Sequence, residues 1–158
     1  MWLYCAMVRP SLEYCSVAWM PFTFLQINKL EAVQKQFLLF ALRDLQWRHE
    51  FLLLSYEDRL KLLNLTTLNE RRILSCAVFM YKLLNGLINV PYLRNKLTLN
   101  QSSYDTRRRS YFMRDTYSTS YDWNEPVSRL IKIFELCRID FESCTSLENF
   151  KNSIKNKL

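Results

Sequence analysis

The 158-residue sequence predicts an all-α fold, an irregular multi-helix assembly with one long basic, aromatic loop. Three observations predict it. Apolar residues recur at i, i+3, i+4 and i+7 in several separate stretches, the period of a helix with one buried face. Capping boxes, a hydroxyl residue followed three positions later by an acid, stand in front of two of those stretches. The sequence has one glycine, Gly86, where average usage of about 7% would supply about eleven, so primed hairpin turns and glycine-rich phosphate loops have no material.

The elements follow in order. Leu3, Tyr4, Ala6, Met7 and Val8 read as the end of a helix, and Pro10 as the start of another with Leu12, Cys15, Ala18 and Trp19 inward. Trp2, Tyr4, Tyr14 and Trp19 then need partners, and a chain that begins in mid-pattern with so much apolar surface reads as a truncated part of a larger protein. From Leu25 to Leu42, Leu30, Val33, Phe37, Phe40 and Ala41 define an inward face, with Lys29, Gln36 and Arg43 between them.

Ser55 and Asp58 form a capping box for a short helix to Leu63. Thr67 and Glu70 repeat the device for a helix with Leu74, Ala77, Val78, Tyr81 and Leu84 inward, ended by Asn85 and Gly86. Pro91 opens a brief turn or helix through Leu97. Residues 100–124 hold almost no aliphatic side chain and read as one long irregular segment. Asn124 as N-cap and Pro126 in the first turn open a helix with Val127, Leu130, Ile131, Phe134 and Cys137 inward. A last helix from about Ser146 turns Leu147, Phe150 and Ile154 inward and sets Lys151, Lys155 and Lys157 near its negative end.

Composition narrows the function classes. Five cysteines, odd in number and without a C-x-x-C pair, beside the single His49, read as buried thiols in a reducing compartment; no metal and no cofactor is expected. No apolar run approaches the roughly 18 residues of a membrane span, and no basic leader precedes a small-residue cleavage site. The expectation is an intracellular protein, nuclear or cytoplasmic, without a membrane partner. The net charge of +7 suits a polyanionic partner.

Seven stretches of sequence carry a family resemblance. The opening run holds Leu3, Tyr4, Val8, Arg9, Pro10, Leu12, Glu13, Tyr14, Trp19 and Pro21. It leads into Ile27, Leu30, Glu31, Val33, Gln34, Lys35 and Phe37. YEDRLKLLNL (56–65), LNERR (68–72), FMYKLLNGLIN (79–89), TRRRSYFMR (106–114) and YSTSYDWNEPVSRLIKIF (117–134) continue the pattern. Together they resemble the thumb and post-thumb segment that follows the polymerase core in jockey-like non-LTR retrotransposon reverse transcriptases. The pattern departs at Ala18, where valine is usual, and at residues 117–121 and Trp123, inside the basic loop.

The resemblance implies an RNA-directed DNA polymerase as parent protein and an RNA or DNA template-primer as partner. It divides the chain into 1–24, joining an absent palm domain; 25–99, a thumb-like helical region; 100–124, the basic aromatic loop; and 125–158, a C-terminal helical pair. By the same resemblance, Lys29, Lys35 and Arg43 would track the template-primer backbone.

Strand synthesis needs clustered carboxylates that hold two metal ions. Here Asp44, Asp58, Asp105, Asp115, Asp122 and Asp140 stand apart, with no Asp-Asp pair, so the expectation is a chain with no catalytic residue of its own. His49 reads as a surface histidine. Glu13 and Glu31 read as helix-surface residues balancing Arg9 and Lys35.

The binding candidates lie in the loop. Between residues 94 and 114, Arg94, Lys96, Arg107, Arg108, Arg109 and Arg114 face Asp105 alone, interleaved with or followed by Tyr104, Tyr111, Phe112, Tyr117, Tyr121 and Trp123. Guanidinium groups pair with phosphate while flat rings stack on unpaired bases. The same residues would also suit a loop that packs its rings on the helices and leaves its arginines in water, and the resemblance favours nucleic acid. Two other classes stay open: a stand-alone helical protein-interaction module, and a non-functional relic of a decayed element.

Overall fold

Pro10 shapes the first helical stretch. Its ring removes an amide donor and crowds the carbonyl four residues back, so an α-helical bond cannot form there. The computed structural model, which describes residues 3–41, 54–98, 100, 111–113, 116, 118–137 and 146–157, has a π-helical turn at Tyr4–Val8 that leads directly into α1, Arg9–Glu13. The Arg9 amide reaches back to the Tyr4 carbonyl, the wider spacing of a π turn. The helix stops at Tyr14, and Cys15 takes the left-handed region (φ 50°) before α2, Ser16–Trp19.

The chain is all-α, with no strand among the described residues. The further helices are α3 (Phe24–Ala41), α4 (Tyr56–Leu62), α5 (Leu68–Leu84), α6 (Pro91–Lys96), α7 (Ser120–Trp123), α8 (Pro126–Cys137) and α9 (Leu147–Lys155). The capping box at Thr67 forms as expected, and at Ser55 the Asp58 carboxylate accepts from the serine hydroxyl at 2.6 Å rather than from its amide. The Asp58 amide donates to Ser55 Oγ at 3.2 Å, and the Thr67 and Glu70 pair exchanges two bonds of 3.1 Å. Gly86 ends α5 at φ 68°, with the Leu87 amide reaching the Lys82 carbonyl at 2.9 Å. Asn64 (φ 53°) ends α4 in the same left-handed way, tolerated because its short polar side chain can bond locally.

Residues Met1–Arg72 and Ile73–Leu158 form two compact units, with the boundary falling inside α5. The second unit has an aromatic core. Phe150 lies 4.4 Å from Tyr81 and 6.4 Å from Phe134, centroid to centroid, and Phe112 stands edge-on to Phe134 at 6.0 Å. Met80, Leu83, Leu130, Ile131 and Ile154 are buried in this unit. Of the inward residues expected on α8, Leu130, Ile131, Phe134 and Cys137 are buried and Val127 half-buried. Asn124 does not cap α8: its amide turns back to the Ser120 carbonyl at 2.8 Å, and the Glu125 carbonyl accepts the first helical bond from Arg129. Lys157 Nζ donates to the Cys137 carbonyl at 3.0 Å, at the end of α8, while its backbone amide closes its own helix on the Ile154 carbonyl at 2.9 Å.

Within the segment 100–124, expected to be irregular, the described residues form local structure. The Thr119 hydroxyl caps the one-turn helix α7 through the Asp122 amide, and the Asn100 and Tyr111 backbones meet at 3.0 Å.

The first unit departs most from the sequence reading. On α3 the buried residues are Glu31, Gln34 and Leu38, while Phe40 is 71% exposed and Val33 is exposed too. On the preceding stretch Cys15, Ala18 and Trp19 are exposed, and Tyr4, Ser16 and Met20 are buried. The reason is local: the left-handed residue at Cys15 breaks the periodicity that the inward face of 10–19 assumed, and a polar core replaces the expected apolar one on α3.

Candidate nucleic-acid interface

That polar core is built from four elements. Tyr4 Oη donates to Gln34 Oε1 at 2.7 Å, and Gln34 Nε2 donates to the Thr66 carbonyl at 3.0 Å and to Tyr56 Oη at 3.2 Å. Tyr56 Oη in turn donates to Glu31 Oε2 at 2.7 Å. The other oxygen of Glu31 accepts the Asn69 amide at 2.8 Å, one of the amides that the start of α5 leaves without a helical partner. A carboxylate at this end also meets the favourable pole of the helix dipole.

Tyr4 stacks on Phe37 with centroids 4.1 Å apart, which fixes the ring while the hydroxyl reaches Gln34. Burial pushes the Tyr4 phenol up to about 12 and raises that of Tyr56 further, the latter helped by its bond to Glu31. Both act as neutral donors at ordinary pH.

Beside the network lie two arginines with opposite circumstances. Arg71 makes a two-pronged ion pair with Glu13, its Nη2 at 3.0 Å from Oε2, and the carboxylate strengthens its charge. Arg72 is fully buried, and none of its three guanidinium nitrogens has a hydrogen-bond partner among the described residues. Its guanidinium carbon lies 5.7 Å from the Trp19 ring centre. Burial weakens the Arg72 charge, while Glu31 and Glu13 act in the opposite sense. Glu13 and Glu31 are therefore not the surface residues the sequence reading expected. One holds Arg71 and the other is sealed in the core. Lys35, the expected partner of Glu31, instead has its amine 4.9 Å over the Tyr56 ring.

The expected nucleic-acid contacts are distributed as follows. Lys29 and Lys35 are both exposed on α3. Six residues apart at about 100° each, they point about 120° away from one another and share no face. Tyr111 is 38% exposed and sets its ring edge-on to Phe134 at 6.4 Å, so part of it belongs to the core. Arg43, Arg107, Arg108, Arg109 and Arg114 lie outside the described residues.

Two further cation–ring pairs of the second unit escaped the sequence reading. Lys132 has its amine 3.6 Å over the Trp123 ring and donates to the Trp123 carbonyl. Lys96 stands 5.2 Å over Tyr92 and 3.4 Å from Glu125, and both partners raise its pKa, Tyr92 the more. The four-residue spacing of Tyr92 and Lys96 was the available signal.

Charge is divided unevenly. Ile73–Leu158 carries thirteen Lys and Arg against eight Asp and Glu, and Met1–Arg72 nine against seven, so five of the seven excess positive charges belong to the second unit. Among the described residues no group of three His, Cys, Asp or Glu is arranged to hold a metal ion. Cys5, Cys15, Cys76 and Cys137 are free thiols, and burial pushes Cys76 up to about 11. No described helix is long and apolar enough to cross a membrane.

In comparisons with family models, curated proteins and solved structures, the chain matches none.

Proposed function

We propose that this chain is the helical segment that follows the catalytic palm in a jockey-like non-LTR reverse transcriptase, and that it acts by binding nucleic acid rather than by synthesising it. One observation supports the reading above others. Tyr4, Glu31, Gln34 and Tyr56 stand in three separate stretches of the resemblance, and their side chains meet in the buried network. The polar positions of those blocks thus have an architectural role, which is what a shared pattern without catalytic residues requires.

Binding would fall to the more basic second unit, through arginines on phosphates and rings on bases. The first unit carries exposed apolar side chains at Leu3, Met7 and Tyr14, chemistry suited to docking on the palm domain of the same polypeptide.

The test is fluorescence anisotropy of the purified chain with a 20-nucleotide single-stranded RNA across a salt series. The reading expects log affinity to fall with log salt with a slope steeper than about −2, as three or more phosphate contacts on a single strand require. A flat slope, or no binding at low salt, overturns it.

A further inference from the structure

The outward face of α3 is complementary to itself. Opposite buried Glu31, Gln34 and Leu38 lie Leu25, Lys29, Ala32, Val33, Gln36 and Phe40, and of these Leu25 is 65% and Phe40 71% exposed. Large apolar residues stand at the two ends of this face, small ones at its centre, and a polar residue between centre and end on each side.

From these positions we infer that two copies of the chain pair through α3, antiparallel, about a two-fold axis between Ala32 and Val33. In that register Leu25 meets Phe40 of the second copy, Lys29 meets Gln36, and Ala32 meets Val33. The small central residues let the helix axes approach to about 8 Å, and the face runs about 22 Å at 1.5 Å per residue.

Charge selects the direction. A parallel pair would set Lys29 against Lys29, whereas the antiparallel pair gives its amine the Gln36 carbonyl oxygen. The sole acid of α3, Glu31, is buried, so the face offers no other counter-charge of its own. An interface of one helix face is well below the standard size of about 1,600 Å², so the association is reversible and weak.

Sedimentation equilibrium of the full chain from about 5 to 500 µM reads the association directly. A reversible monomer–dimer equilibrium is expected. Val33→Lys puts two ammonium groups side by side at the axis and weakens the dimer at least about tenfold. Gln36→Glu gives Lys29 an ion pair across the interface, tightening the dimer several-fold at low salt and losing that gain at high salt. This second variant is a gain, which misfolding cannot imitate. A monomer at every concentration overturns the proposal, as does a dimer indifferent to Val33→Lys or one that Gln36→Glu weakens, the sign of a parallel pair or of another surface.

Discussion

The hydroxyl of Tyr4 donates to the side-chain carbonyl of Gln34 across thirty residues of sequence, inside the core of the first unit. Both groups are buried, so neither can turn to water when its partner is removed. Tyr4→Phe strands the Gln34 oxygen and is expected to cost about 1–3 kcal/mol. Gln34→Leu strands the Tyr4 hydroxyl and the Thr66 carbonyl and should cost more. In the double variant the Tyr4–Gln34 loss is counted once, so urea unfolding should give less than the sum of the single costs. Simple additivity would mean the two side chains are not coupled.

Alkali should loosen the same core. The Tyr4 phenol is raised to about 12 by burial, against an ordinary value near 10, and Tyr56 is raised as well. A group whose folded pKa is raised stabilises the fold fully below its unfolded pKa and loses that contribution as pH climbs through the folded value. Unfolding free energy attributable to Tyr4 is therefore constant up to about pH 9 and declines between about pH 10 and 12, by up to about 2–3 kcal/mol. The difference between the native chain and Tyr4→Phe, measured by urea titration at each pH, isolates this part. An unchanged difference across that window would contradict it.

Arg72 should be dispensable for stability. A buried guanidinium with no hydrogen bond among the described residues recovers its desolvation cost only through the Trp19 ring and the charges of Glu31 and Glu13, and where that recovery falls short an apolar replacement of similar volume is neutral or stabilising. Arg72→Met keeps the length of the side chain and sets a sulfur near the Trp19 ring. Its melting temperature is expected to rise. A fall of several degrees would show that the charge itself, through Glu31 and Glu13, holds the unit together.

The basic loop carries a separate expectation. Replacing Arg107, Arg108 and Arg109 together by alanine removes three charges and should flatten the salt dependence of RNA binding by about 2 in slope. An unchanged slope in the anisotropy assay would take these residues off the contact surface.

Local chemistry was readable from sequence where one residue decides the outcome. The Ser55 and Thr67 caps, the start of the last helix at Ser146, the glycine stop at 86 and the inward face of α8 each depend on interactions within a turn or two. The α3 face was not readable, because its orientation depends on Tyr4 and Tyr56, donors far away in sequence that make Glu31 and Gln34 better core residues than Val33 and Phe40. Periodicity registers which positions are apolar and carries no record of a distant donor. The candidate interface was legible only as composition: Lys29 and Lys35 prove to diverge, a consequence of their six-residue spacing, and Tyr111 is shared with the aromatic core.

The interlocked donors and acceptors of the first unit also constrain how its sequence can drift. An aliphatic core accepts exchanges of like volume one at a time, since any neighbour can fill in for another. Here each of Tyr4, Glu31, Gln34 and Tyr56 answers a particular atom of the next, so a solitary replacement leaves a widowed polar atom behind. These four positions must change in concert or stay as they are.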